Sequence, residues 1–268
     1  MPKELHDLLT PATLSLAGAN VIMQLAQLPV GRGVAESKID SGNLYKHPMK
    51  RARTTFGYVM IAVFGTDEER VALGAAVTDV HRRVRSGPEE PVRYTALDPK
   101  LQLWVAACMY RGFEDGYAVL YGPPPPELLD LIYSHGVRLA TTLQVPVTMW
   151  PPNRAAFEAY WAEAESHIQM DEVTRAYLYD IAGLGFLPWP VPALFGWFHR
   201  AVTAGFLPDS FRQELGLPWG ALEQRAFDVN RRVLRAVNAL TPRRLRTLPF
   251  DLSLGDMRWR IRQGRDIL

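Results

Sequence analysis

The sequence predicts an all-α protein. Apolar residues recur at helical spacing along most of the chain. Short runs with β character, such as QVPVTMW, are isolated and interrupted by proline. The 21 prolines mostly stand in short clusters between helical segments, where they separate one element from the next. We therefore expect roughly ten helices that form a single large domain around an apolar pocket.

Length and composition limit the class of protein. The chain has 268 residues and 48% hydrophobic residues, enough for a sizeable core. A net charge of +2 does not suggest a nucleic-acid binder. The single cysteine, Cys108, excludes an intrachain disulfide and a multi-thiolate metal site, and we expect it to pack in the core. The N-terminal MPKELHDLLT lacks the apolar stretch of a signal peptide. The sequence also contains no apolar run long enough to predict a membrane-spanning helix. We therefore expect a cytoplasmic protein.

The first helix is predicted to start at Thr10 and Pro11 and to run through LSLAGANVIMQLAQ. It is apolar on nearly every side, which is typical of a buried helix. Gly18 in its middle allows close approach of another helix or of a flat ligand. The next segment, PVGRGVAESKIDSGN, is predicted as a glycine-rich loop, because its GRG lacks the spacing of a phosphate-binding loop.

Capping signals place the later helices. Thr66 and Glu69 form a capping-box pattern, Asp98 precedes a proline, and Asn153 precedes an amphipathic run. The predicted helices cover about 48–64, 66–85, 98–121, 127–143, 154–168, 171–182, 191–204, 208–215 and 220–239. Residues 186–192, FLPWPVP, form the most irregular stretch, either a functional loop or a connector.

His81 lies on the apolar face of its helix. It belongs to the stripe Leu73, Val77, Val80, His81 and Val84, whereas the neighbouring arginines 82, 83 and 85 fall toward the other side. This phase predicts that His81 points inward. Such a histidine is either a core residue hydrogen-bonded to a carbonyl or hydroxyl, or a ligand or catalytic group.

A polar stripe marks the helix PMKRARTTFGYVMIAVF. Arg51, Thr55 and Tyr58 share one face at i, i+4 and i+7, with Thr54 beside them, and Glu36 precedes them in the chain. The stripe is either a partly exposed face or the polar wall of an apolar cavity. The histidines show no zinc-ligand spacing, and no GxSxG motif occurs. One inward histidine in an apolar all-α body suits the axial ligand of a haem, whose other four iron ligands come from the porphyrin.

The C-terminal region is rich in arginine. Eleven arginines and only three acids occur between Arg225 and Arg265, with apolar residues between them. The region, with a basic tail at about 241–268, is either a solvated helix face followed by a tail packed on the body, or a contact for an anionic membrane surface.

The order of several motifs resembles the catalytic domain shared by MpaB-like oxygenases and rubber oxygenases (latex clearing proteins). These motifs are LAGANVIMQLA, PVGRGVAES, KRARTTFGYVMIAVFGT, VHRRVRS and YTALDPKLQLWVAACM, and the resemblance spans roughly residues 10–250. It implies an all-helical pocket for a b-type haem and oxidation of a hydrophobic small molecule by dioxygen.

By position, the resemblance implies that His81 is the proximal iron ligand, that Arg51 and Thr55 form a polar distal pair, and that Glu36 is a base. Thr54, Tyr58 and Gly18 are expected to line the cofactor site. Thr54 replaces the distal lysine of the rubber oxygenases, and Ala106 replaces a histidine found in many relatives, so polyisoprene cleavage is not implied. The alternative is a non-catalytic helical module that binds a hydrophobic ligand or a membrane surface.

Overall fold

The computed structural model describes residues 5–37, 39 and 42–268. Across these residues the chain forms α-helices and short 3-10 turns, and the single β-bridge, between Arg85 and Thr95, is isolated. The all-α prediction is therefore confirmed. The helices are α1 (Ala17–Leu25), α2 (Leu28–Ala35), α3 (Pro48–Phe64), α4 (Asp67–His81), α5 (Pro99–Tyr121), α6 (Pro126–Thr141), α7 (Arg154–Ser166), α8 (Glu172–Ala182), α9 (Val191–Phe206), α10 (Asp209–Leu215), α11 (Ala221–Leu240) and α12 (Arg243–Arg262). Residues Leu5–Leu8, Pro11–Leu16 and Val147–Met149 form 3-10 turns.

The predicted capping residues start the helices as expected. Thr66 and Glu69 form both bonds of a capping box at α4. The Asp98 side chain accepts a hydrogen bond from the backbone N–H of Lys100, and Asn153 accepts one from Ala156. Each bond satisfies an N–H group that the first turn of a helix leaves unpaired, which is why these residues locate helix starts reliably.

The glycine-rich loop prediction was wrong for its first seven residues, 29–35, because Leu28–Ala35 form α2. Its glycines serve packing. A Cβ added at Gly31 would lie 2.4 Å from the Thr174 side chain of α8 and 2.6 Å from the carbonyl oxygen of Leu25. Glycine therefore lets α2 approach α8 closely. Three residues of the predicted loop, at positions 38, 40 and 41, lie outside the described residues.

Three other boundaries differ from the sequence prediction. The helix predicted to start at Thr10 and Pro11 begins as a 3-10 turn, Pro11–Leu16, without a side-chain cap from Thr10, and α1 follows at Ala17–Leu25. Helix α4 ends at His81 rather than near Arg85, and the chain then turns so that Arg85 bridges Thr95. The region predicted as a basic tail contains the 20-residue helix α12, with Pro249 inside it. The proline and the many arginines interrupt the spacing of apolar residues by which a helix is recognised in a sequence.

The main core surrounds α5, the longest helix, which packs against α1, α6 and α11. Trp104 of α5 is fully buried and stacks on Trp161 at 5.1 Å between ring centroids. Its indole N–H donates to the carbonyl of Met23 at 3.1 Å. Cys108 is also fully buried, as predicted for a core residue. Helix α3 packs against α12, α6 and α4, which places its polar stripe beside the end of α4.

Among the residues that the structure describes, no single helix is long and apolar enough to cross a bilayer. One bent pair, Thr13–Leu25 with Leu28–Ala35, reaches the required length and composition only when the two segments are joined across a 112° bend.

Candidate functional site

His81 stands at the C-terminal end of α4 with the orientation that helical phase predicted. Leu73 and Val77 of its stripe are buried, His81 is half-buried, and the arginines 82, 83 and 85 are exposed. Burial, and after it the positive charge of Arg51, together lower the pKa of His81 to about 4. The imidazole is therefore neutral at neutral pH, the form that can offer a nitrogen lone pair to a metal.

One nitrogen of this imidazole has no partner. Nδ1 of His81 is buried and forms no hydrogen bond within the described part of the chain. An unpaired buried polar atom costs free energy, since water bonded to it in the unfolded chain. A histidine that served only the core would be expected to bond a carbonyl or hydroxyl, and this nitrogen bonds neither.

Arg51 lies close enough to His81 for its positive charge to act on the imidazole. The residue as a whole is exposed, whereas the surrounding protein atoms desolvate its guanidinium and lower its pKa. Among the described residues no carboxylate pairs with Arg51. Its positive charge instead acts to lower the pKa of His81 and the pKa of Tyr177 on α8.

The other residues of the α3 stripe divide into two kinds. Thr55 lines an apolar cavity. Thr54 is buried, and its hydroxyl donates to the carbonyl of Arg51 at 3.1 Å. The Tyr58 hydroxyl is buried and donates to the carbonyl of Leu139 at 2.6 Å. Thr54 and Tyr58 therefore bond to the backbone of the fold, whereas Arg51 and Thr55 face open space.

The cavity beside Thr55 has a volume of about 140 Å³. Its walls come from the N-terminal turns, α1, α3, α5 and Phe250 of α12, and nearly all of them are apolar. Ligand pockets for cofactor-sized molecules usually measure about 300–1,000 Å³. This cavity alone is therefore too small for a haem, and the haem-sized pocket stays a prediction.

Glu36 ends α2 and is held by an arginine. Arg32 forms ion pairs with both Glu36 and Asp171, the N-cap residue of α8. Burial, Glu90 and Glu36 together raise the pKa of Tyr94, so Glu36 lies near the segment that follows His81. Glu36 would have to leave Arg32 before it could accept a proton from a substrate.

Gly18 faces another helix. A Cβ added there would lie 3.1 Å from both Cε1 of His199 and Oγ1 of Thr203, on α9. His199 donates from Nδ1 to the carbonyl of Ala182 at 2.8 Å, and burial lowers its pKa. Gly18 thus permits the close approach of a helix, one of the two roles that the sequence allowed.

Sequence reasoning missed two residues near the site. Tyr177 of α8 lies within electrostatic reach of Arg51, and Arg32 holds Glu36. Tyr177 stands in no recognisable motif and comes from an element distant along the chain. Arg32 is four positions before Glu36, and the i,i+4 spacing of this pair was hidden because the segment was predicted as a loop. No group of three or more histidine, cysteine, aspartate or glutamate side chains converges among the residues that the structure describes.

Comparison with known proteins identifies the family. The family described as "ER-bound oxygenase mpaB/B'/Rubber oxygenase, catalytic domain" matches residues 6–236. The uncharacterized proteins Mb2261 of Mycobacterium bovis and Rv2237 of Mycobacterium tuberculosis are each 49% identical over 253 residues, which is 94% of this chain and 99% of the relative. No solved structure gives a significant match. The helical fold and the extent of the match together show that the chain belongs to the family of MpaB and rubber oxygenase catalytic domains.

Proposed function

We propose that the protein is a haem b-dependent oxygenase that uses dioxygen on a hydrophobic small molecule, with His81 as the proximal iron ligand. Membership of an oxygenase family supports the general activity. The observation that carries the finer proposal is the neutral His81 imidazole, with Nδ1 buried and unpartnered, beside Arg51.

The chemistry of these residues fits a haem. A single neutral imidazole suffices as a protein ligand, since the porphyrin supplies four nitrogens. Arg51 provides a cation without an ion-pair partner among the described residues, as a propionate requires. Because the cavity beside Thr55 is only about 140 Å³, a macrocycle would also need the space beside the exposed Arg51 or a separation of the neighbouring helices.

When bound, a b-type haem supplies the activation of dioxygen, and the protein supplies orientation and electrostatics. Arg51 is suited to hold a propionate or to donate a hydrogen bond to an oxygen atom. Thr55 presents a hydroxyl at the edge of an apolar cavity that excludes polar substrates. Glu36 would act as a base only after Arg32 releases its carboxylate.

Absorption spectroscopy tests this proposal. We expect purified protein, supplied with haem, to show a Soret band and one haem b per chain in a pyridine-haemochrome assay. His81→Gly should lose the band and recover it when imidazole is added, because free imidazole can occupy the vacated position. His135→Gly is the matched control, since His135 is half-buried on α6 and bonds Arg138, and its haem content should stay unchanged.

Protein that stays colourless with added haem would contradict the proposal. Colourless protein that still binds an apolar probe would favour the alternative of a non-catalytic helical module. Retention of the full haem spectrum in His81→Gly without imidazole would assign the ligand to another residue.

A further inference from the structure

The N-terminal half of α9 and the turn before it carry large apolar side chains on the outside of the protein. We call this set the α9 aromatic surface; it consists of Trp189, Leu194, Phe195, Trp197 and Phe198. Trp189 is 82% exposed, Leu194 69% and Phe195 56%. Scattered exposed apolar residues are normal, but five of this size within ten positions mark a contact surface.

This exposure is a property of one end of a well-anchored helix. The C-terminal half of α9 is buried through Ala201, Val202, Thr203 and Ala204. Gly196 lies against the carbonyl of Gly183, where a Cβ would approach to 2.6 Å. The projecting half is therefore held in place while its aromatic side chains remain in water.

The segment of chain that carries this surface contains charged side chains of one sign only. No aspartate or glutamate occurs between Asp180 and Asp209, and Arg200 is the one arginine or lysine in that segment. Tryptophan, phenylalanine and leucine beside a basic residue are typical of surfaces that enter the interface of a bilayer.

Helix α11, which packs along α9, extends the same pattern. Its exposed face carries the apolar residues Leu222, Val229, Val233, Val237 and Leu240. Arg225 and Arg232 are exposed beside them and have no ion-pair partner within the described residues. A surface helix usually turns its apolar side to the core, so this outward stripe requires a partner.

The unpaired arginines favour an anionic partner over a second copy of the chain. A two-fold dimer on this face would bring the same surface against itself, and with it the same unpaired cations. Anionic headgroups would instead neutralise the arginines, while the aromatic side chains reach the acyl boundary.

We propose that the α9 aromatic surface and the outward face of α11 dock the protein onto anionic phospholipid bilayers. Trp189, Leu194 and Phe195 enter the interface, and Arg225 and Arg232 contact lipid phosphates. Arg225 and Arg232 belong to the arginine-rich region noted in the sequence, whereas several of its other arginines bond within the chain, such as Arg243 to Asp7 and Arg258 to Glu69. The proposal does not depend on haem.

Vesicle co-sedimentation tests the docking surface. We expect the full chain to bind vesicles of phosphatidylcholine with phosphatidylglycerol more tightly than phosphatidylcholine alone, and less tightly as salt increases. The variant Trp189→Ser/Leu194→Ser/Phe195→Ser should bind at least about tenfold more weakly. Arg225→Gln/Arg232→Gln should weaken binding to the anionic vesicles by roughly thirtyfold, since each basic residue near such a surface contributes a factor of about five.

The control variant is Val71→Ser/Leu252→Ser, which alters two residues with exposures of 73% and 64% outside this surface. It should bind vesicles as the unchanged chain does. Circular dichroism and the melting temperature confirm that each variant is folded. Equal binding to neutral and anionic vesicles, or full binding by the triple variant, would overturn the proposal. So would a dimer, seen by light scattering, that the triple variant dissociates, because the occupant would then be a second copy.

Discussion

At the scale of the residue, His81 owes its properties to two different sources. Helical phase within α4 turns it away from the exposed arginines at 82, 83 and 85. Its low pKa comes from burial first and from Arg51 second. Arg51 is 30 positions earlier in the chain. The direction of the side chain is therefore a local property, and its electrostatics is a tertiary one.

The pKa of His81 in haem-free protein provides a test at this scale. A nearby positive charge disfavours the protonated imidazole, so removing it must raise the pKa. In Arg51→Gln we expect the His81 pKa to rise above about 4 and to stay below its ordinary 6.5, because burial persists. NMR titration of the imidazole measures both values.

Lys50→Gln is the control for this titration. Lys50 is on the same helix turn, and its charge lies near Asp266 rather than His81. The His81 pKa should not change in this variant. An unchanged pKa in Arg51→Gln would show that Arg51 does not act on His81.

At the scale of the element, α12 is defined by its packing on α3. A Cβ added at Gly57 of α3 would lie 2.6 Å from Sδ of Met257, which is fully buried. Gly255, on α12 itself, has no atom within 4 Å of an added Cβ. The two glycines are in helices, yet only one of them is needed for a helix contact.

Alanine substitution at these glycines should act in opposite directions. Gly57→Ala is expected to lower the free energy of unfolding by about 1–3 kcal/mol, because it overpacks the α3–α12 contact. Gly255→Ala is expected to raise it by about 0.5–1 kcal/mol, because alanine is a better helix former and meets no neighbour. Urea denaturation measures both changes, and destabilisation of equal size in both would contradict the packing explanation.

At the scale of the whole molecule, the fold extends beyond the family match. The match covers residues 6–236, and α12 follows it at Arg243–Arg262. Phe250 and Met257 of α12 are buried against the body, and Phe250 also lines the cavity beside Thr55. Helix α12 is therefore part of the fold and of the candidate site.

Truncation after Leu240 should destabilise the protein severely. Removing Phe250 and Met257 together is expected to lower the free energy of unfolding by more than the about 3–5 kcal/mol that a single buried Phe→Ala change costs. That is a large share of the roughly 5–15 kcal/mol that holds a domain folded. Thermal unfolding and soluble yield measure the effect, and an unchanged melting temperature would show that α12 is dispensable.

The sequence alone determined most helix bounds, the caps at Thr66, Asp98 and Asn153, and the face on which His81 lies. These features depend on residues within a few positions of one another, through helical spacing and first-turn hydrogen bonds. Contacts between distant parts of the chain establish that 28–35 is a helix, that α12 packs on α3, and that Arg51, His81 and Tyr177 are neighbours. The tertiary structure also places apolar faces of α9 and α11 outward. Those features depend on contacts between residues far apart in the chain, which local periodicity does not record.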